Sequence, residues 1–372
     1  MKIGLNATSL NDRPSGAKQR FVGIYGELIA RLPEFEFVIY EPADCRVGSW
    51  FGGAPNVSVR RTPVLSEGRV RKIIHGARYW SAALPRERFD VLESLTLPML
   101  RTPIGRTVLT IHDIRMLHRE FGGSGRALYK YILRSSLKAA DHVITVSEAM
   151  KEEILAFHPG KPISVVYNGL DTSGFDRIQP DELAFARKRL ALPEQFILAV
   201  GHLERRKNYL RLIEALARLR ERDRSCPLVI IGNDSGEKSA VERRIRFTHS
   251  LDHVKILSGL SDHDVRCVFR LCSLFVFASL YEGFGIPILE AMAASRPMAL
   301  SNIPVFREIT QNQSIFFDPD NVEAMAAAIE RALGSSSERE RLVEFGRKRV
   351  LAFNFKSLAT QVESLYRSIA PN

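Results

Sequence analysis

A chain of 372 residues, 26% charged and 45% hydrophobic, is long enough for two domains and too apolar for a disordered or collagen-like protein. Its four cysteines (Cys45, Cys226, Cys267, Cys272) form no CxxC pair and no zinc spacing, no apolar run approaches the ~18 residues of a membrane span, and the start Met1-Lys2-Ile3-Gly4-Leu5-Asn6 lacks a secretory apolar core. The expectation is a reduced, cytoplasmic setting, and the 53 Lys and Arg against 42 Asp and Glu, a net +11, lead to the expectation of an anionic partner.

In chain order, apolar runs predict strands at 2–6, 35–40, 57–60, 89–93, 107–111, 142–146 and 163–167, with amphipathic stretches between them. The pattern restarts after an acidic-basic connector, 176–194, with strands at 196–200, 228–231, 254–257, 274–278, 298–300 and 314–317. Strands alternating with helical patterns mean βαβ units and mostly parallel sheets. The fold class expected is therefore α/β, with two doubly wound, Rossmann-like domains: residues 1–175, then 176–352. Such domains bind ligands outside the carboxyl ends of their strands, so two facing ones would hold a site in the cleft between them. Phe355, Leu358, Ala359, Val362, Leu365, Tyr366 and Ile369 keep a helical apolar stripe to the end. A terminal helix over 353–372 with that stripe is expected to pack back on the first domain.

Two loops carry chemistry. The first is Ser279-Leu280-Tyr281-Glu282-Gly283-Phe284-Gly285-Ile286-Pro287-Ile288-Leu289-Glu290, after the strand at 274–278. Pro287 suits the first residue of a helix, and Gly283 and Gly285 let backbone N–H groups approach an anion at that helix end. Glu282 and Glu290 put two carboxylates around the same spot, suited to sugar and ribose hydroxyls. The second is Gly201-His202-Leu203-Glu204-Arg205-Arg206-Lys207-Asn208, between the strand at 196–200 and a helical stripe of Leu212, Ile213, Leu216 and Leu219. Asn208 reads as an N-cap, and Arg206 and Lys207 as charge-assisted donors to a departing diphosphate.

Together these stretches resemble the retaining family 4 glycosyltransferases of the GT-B fold. Glu282-x7-Glu290 resembles the family's Glu-x7-Glu motif and Arg206-Lys207-Asn208 its phosphate-binding element. Thr110-Ile111-His112-Asp113-Ile114 is similar to the segment that brings a histidine to the donor sugar, with Asp113 available to orient the ring. Ser147-Glu148, Tyr167-Asn168-Gly169-Leu170-Asp171, Ser258-Gly259 and Arg307-Glu308 are further landmarks, and Pro14-Ser15-Gly16-Ala17 resembles the glycine-bearing loop after the first strand. The resemblance implies a hexosyltransferase. In it Arg206 and Lys207 neutralise the leaving diphosphate, Glu282 and His112 contact the sugar, and Glu290 holds the ribose. Gly16, Gly201, Gly283, Phe284, Gly285 and Ile286 would line the donor. It also implies a nucleotide-sugar donor, GDP-mannose favoured over a UDP-hexose, and a glycan or lipid-linked oligosaccharide acceptor of cell-surface polysaccharide, with no separate cofactor. A 2-epimerase of the same fold and a non-catalytic sugar-nucleotide-binding scaffold are the alternatives. The chain departs from the family in having Ser295 where glycine is usual and His202 where arginine is common.

Asp318-Pro319-Asp320 is formally a DxD, but Asp320-x-x-Glu323 precedes a helical stretch and reads as a capping box. No other cluster has metal spacing, so no metal is expected, and no G-x-G-x-x-G or P-loop occurs. Between Arg60 and Arg88 eight basic residues face two acids. Val70, Ile73, Ile74, Ala77 and Trp80 run through that segment at helical spacing. Either a basic amphipathic helix meets an anionic membrane, as a peripheral protein of the inner membrane would, or it packs on the first sheet. No motif accompanies the charge that would indicate nucleic acid.

Overall fold

Each of those apolar runs forms a strand in the computed structural model, with ends shifted by at most two residues. The structure describes residues 1–13, 15–67, 79–80, 88–99, 105–224, 226–334 and 336–371. The chain divides into Met1–Gly169 with Phe353–Asn372, and Leu170–Ala352. The first unit holds β1 (Lys2–Asn6), β2 (Glu36–Glu41), β3 (Val57–Arg61), β4 (Val91–Ser94), β5 (Arg106–Ile111), β6 (His142–Thr145) and β7 (Ile163–Val165), in the order β3-β2-β1-β4-β5-β6-β7. The second holds β8 (Ile197–Val200), β9 (Leu228–Ile231), β10 (Val254–Leu257), β11 (Leu274–Phe277), β12 (Met298–Ser301) and β13 (Ile315–Phe317), in the order β10-β9-β8-β11-β12-β13. All the pairings are parallel. Strands β9 and β11 are buried along their whole length, as continuous apolar runs between two helical layers require, and β4 is equally buried although it carries Glu93 and Ser94.

In both orders the chain reverses direction across the sheet between the first and fourth strands. Those switch points lie between β1 and β4, and between β8 and β11. At such a point the loops leaving neighbouring strands diverge and open a crevice at their carboxyl ends. The loops that leave β8 and β11 are the two singled out above.

The structure moves one boundary and settles two points the sequence left open. The division falls at 169/170 rather than 175/176, because Phe175 is fully buried and its carbonyl accepts a 2.9 Å bond from Arg270 of the second unit. The connector 176–194 contains a helix, Pro180–Arg189, started by Pro180 and a reciprocal Gln179–Glu182 capping box. Of the two alternatives for the basic segment, packing on the first sheet holds for Trp80. It is 7% exposed and packs with Val38, Tyr40, Phe89 and Leu92, its ring 4.8 Å from that of Tyr40. Val70, Ile73, Ile74 and Ala77, with Arg69, Arg71, Lys72, Arg78 and Arg86, lie outside the described residues. No helix among the described residues is long and apolar enough to cross a membrane.

The helix after β1 runs as Gly16–Arg20, a π-turn Phe21–Tyr25, and Gly26–Arg31. The π-turn sets residues five apart on one face, so Arg20 and Tyr25 both point into the unit. The last helix, Phe355–Ile369, is capped by Asn354 and buries Leu358, Ala359, Val362, Leu365 and Tyr366 in the same core as Phe21, Ile24 and Leu28. A 0% exposed carboxylate, Glu93, sits there, accepting from Tyr25 at 2.5 Å and from the hydroxyls of Thr110 and Tyr366.

Candidate active site

At the end of β8 the backbone turns at Gly201 with φ +143°, and a Cβ there would stand 2.6 Å from Cε of Lys207. Only glycine permits both the turn and the return of the lysine stem beneath it. Residues Arg205–Lys207 form one 3-10 turn, ended by Asn208 in the left-handed conformation. Asn208 therefore does not cap the helix Tyr209–Arg220 by its side chain, as the sequence led one to expect. Its amide instead donates to the carbonyl of Pro319 at 2.8 Å.

The β11 loop is tied to this one by Leu280 N–H donating to the carbonyl of Arg206 at 2.8 Å. Gly285, at φ +136°, precedes the helix Ile286–Ala293, so Pro287 is its second residue rather than its first. Burial of Ile288, Leu289 and Met292 anchors the helix, at about 1.5–3 kcal/mol each. Ser295, the departure from family pattern, has φ +58°. A residue with a Cβ costs about 1 kcal/mol there relative to glycine, which explains the usual preference.

The two loops bring Arg206, Lys207 and Glu282 together. Oε1 of Glu282 receives Arg206 at 2.5 Å, Lys207 at 2.7 Å and the Ser279 hydroxyl at 2.8 Å. Arg206 also meets Glu204 at 2.7 Å. Lys207 Nζ lies 4.7 Å from the centre of the Phe277 ring. Burial alone would raise the Glu282 carboxyl, but Lys207 and Arg206 outweigh it and hold it at about 2. Burial lowers the Lys207 ammonium, with Glu282 opposing. Glu204 and Ser279 escaped notice in the sequence; the only signal was Glu204 standing two residues before Arg206.

Glu290 is half-buried, and among the described residues its carboxyl has no hydrogen-bond or ion-pair partner. Burial, then Asp262, push it up to about 7 against the pull of Arg266. Because the folded chain binds this proton more tightly than the unfolded one, its contribution to stability is complete below about 4.5 and is lost as pH rises through 7. Glu290→Gln should thus match wild type in unfolding free energy near pH 4.5 and exceed it at pH 8 by about 1–2 kcal/mol in urea titrations. A difference that does not change with pH would show that this carboxyl is not desolvated.

In the first unit, His112 follows β5 and is half-buried; burial first, and Arg20 second, lower it to about 3, so the ring is neutral. Asp113 Oδ1 accepts from the backbone of Arg115 at 3.1 Å, and among the described residues no hydrogen bond joins Asp113 to the His112 ring. Gly16 is the first residue of its helix, with Ser15 as the cap. Arg20, 1% exposed, donates to the carbonyls of Val166 and Tyr167 at 2.8 and 2.6 Å. The clue to it was positional: Arg20, Ile24 and Leu28 share one helical stripe.

Asp318-Pro319-Asp320 is held by structural contacts. Asp318 accepts from Asp320 N–H at 2.9 Å, and Asp320 meets Arg211 at 3.2 Å. The helix Val322–Gly334 is capped by Asn321, not by an Asp320–Glu323 box. Among the described residues no group of three His, Cys, Asp or Glu is placed to hold a metal ion.

Two Rossmann-like units, with a basic loop and a carboxylate-bearing helix at one switch point, define the GT-B glycosyltransferase architecture. The likeness to the solved Anabaena Alr3699/HepE in complex with UDP and glucose bears out the fold, with a TM-score of 0.76 at 19% identity over 99% of this chain and 100% of that one. The profile "Glycosyltransferase Family 4" matches residues 28–173 and "Glycosyl transferases group 1" matches 181–349. The chain belongs to the family 4 glycosyltransferases. The O-antigen chain mannosyltransferase RfbU of Salmonella typhimurium is 29% identical over 63% of this chain and 62% of its own length. The O-antigen chain mannosyltransferase B of Escherichia coli is 27% identical over 83% and 81%.

Proposed function

We propose that this chain is a retaining hexosyltransferase acting on a nucleoside diphosphate sugar, with mannose from GDP-mannose as the favoured group. The observation that carries this is the meeting of Arg206, Lys207 and Glu282 at the β8/β11 switch point, with the ionisable Glu290 on the helix that follows the β11 loop. Arg206 and Lys207 stabilise charge on the departing diphosphate, Glu290 accepts from the ribose hydroxyls, and Glu282 from the sugar. The backbone of Gly201 and of Gly283-Phe284-Gly285-Ile286, and Gly16 in the first unit, line the donor. His112, as a neutral imidazole, contacts the sugar. Attack on the face the phosphate leaves breaks the anomeric carbon–phosphate oxygen bond and forms the bond to the acceptor oxygen. The acceptor's proton passes to the leaving phosphate oxygen.

The names of the two mannosyltransferase relatives support mannose and a glycan or lipid-linked acceptor in cell-surface polysaccharide; the UDP complex of the Anabaena protein supports a UDP-hexose as the second choice. A lipid-linked acceptor places the reaction at the cytoplasmic face of the inner membrane. The test is incubation with GDP-mannose, UDP-glucose and other nucleotide sugars without acceptor, in excess EDTA. Slow hydrolysis of one donor is expected, undiminished by the chelator because each donor contact comes from protein. Loss of activity in EDTA, restored by manganese or magnesium, refutes the metal-free reading. Interconversion of sugars would reveal an epimerase, and binding without turnover a scaffold.

A further inference from the structure

We infer that Glu282 is a counter-anion built into the diphosphate clamp, which the intact nucleotide sugar displaces and which returns to expel the diphosphate product. The inference rests on the donor-site reading above and adds how that site discriminates donor from product.

Arg206 and Lys207 are not waiting cations. Both bind one oxygen of Glu282, and Arg206 also binds Glu204, so two positive charges meet two negative ones. The Lys207 and Glu282 side chains are only 8% and 11% exposed, so water screens the pair weakly. A phosphate that takes these cations must take them from Glu282. Separating a buried pair is unfavourable unless both partners are matched again, because either left alone is an uncompensated buried charge.

An intact nucleotide sugar matches both. Its diphosphate replaces the carboxylate beside Arg206 and Lys207, while its sugar hydroxyls donate to the carboxylate so released. Oε1 of Glu282 already accepts three bonds, and among the described residues none is made to Oε2, which can take a first hydroxyl before the exchange begins. A nucleoside diphosphate supplies the anion but no hydroxyl for Glu282. Inorganic phosphate supplies still less. After transfer the carboxylate loses its sugar donors and competes again for the cations, which favours release. A competing charge placed against the wrong ligand is how a site gains selectivity without new contacts to the right one.

The experiment is calorimetric titration of wild type, Glu282→Gln, Arg206→Ala and Lys207→Ala with UDP, GDP and inorganic diphosphate. Glutamine keeps the shape but removes the competing charge. Glu282→Gln is expected to bind all three on the order of tenfold more tightly than wild type, whereas the Arg206 and Lys207 variants bind them more weakly. Equal or weaker binding by Glu282→Gln, with weakening in the other two, overturns the exchange and leaves the donor site standing. Undiminished binding by both Arg206→Ala and Lys207→Ala overturns the donor-site reading, and the exchange with it. Should Glu282→Gln fail to fold, Glu282→Asp keeps the charge but withdraws it by one methylene. It is expected to shift affinity the same way by less, and no gain there also refutes the exchange.

Discussion

Lys207→Ala should lower kcat at saturating donor by about 10²–10³-fold, the loss seen when one donor to a developing anion is removed from a preorganised site. The ammonium is held on three sides: the turn at Gly201 above its stem, the Phe277 ring, and the Glu282 carboxylate at 2.7 Å. The turn and the ring keep its stem in place when the diphosphate takes the carboxylate's position, so the ammonium already faces the phosphate oxygen as that oxygen gains charge. The fold should tolerate the change. Glu282 keeps Arg206 and the Ser279 hydroxyl, so its charge stays paired. The effect should appear in kcat more than in melting temperature. Wild-type kcat at saturating donor would remove Lys207 from the clamp.

The largest effect on stability is expected at Glu93, buried in the first unit. Its carboxylate accepts from Tyr25 in the π-turn, from Thr110 on β5 and from Tyr366 in the last helix, three elements distant in sequence. Burial and the Glu93 charge push the Tyr25 and Tyr366 hydroxyls well above their ordinary range, so both stay protonated as donors. Glu93→Ala leaves three hydroxyls without an acceptor and Arg20 without its neighbouring negative charge. The loss should be about 3–5 kcal/mol in urea unfolding of the first unit. Tyr366→Phe, which removes one bond and leaves the carboxylate paired with two donors, should cost about 1–2 kcal/mol. If Glu93→Ala unfolds within 1 kcal/mol of wild type by the same measure, the cluster is not what ties the last helix to the sheet.

Both predictions turn on groups that the sequence shows unequally. Lys207 was legible because it sits in a basic loop between an apolar strand and a helix, and position at a strand's carboxyl end is a local property. Glu93 was not, because one acid inside an apolar strand looks like any other until its partners, 68 and 273 residues away, are known. Asn208 misled for the same reason. Its type and position suit a cap, but a carbonyl 111 residues on, at Pro319, takes its amide. Trp80 was left open between membrane and sheet because helical spacing marks an apolar face without saying what covers it; Tyr40 and Phe89 do.

Sequence pattern is enough for strands β1 to β13, the two parallel sheets and the two loops that leave β8 and β11. These follow from patterns read over a few residues: apolar runs of strand length, glycines at turns, and a proline at a helix start. Only the folded chain reveals that Glu282 lies between Arg206 and Lys207, that Glu290 has no partner among the described residues, and that Arg20 and Glu93 share a core. Those facts depend on which side chains meet across a sheet, and charge pairing and desolvation are set by that meeting rather than by any residue's neighbours in the chain.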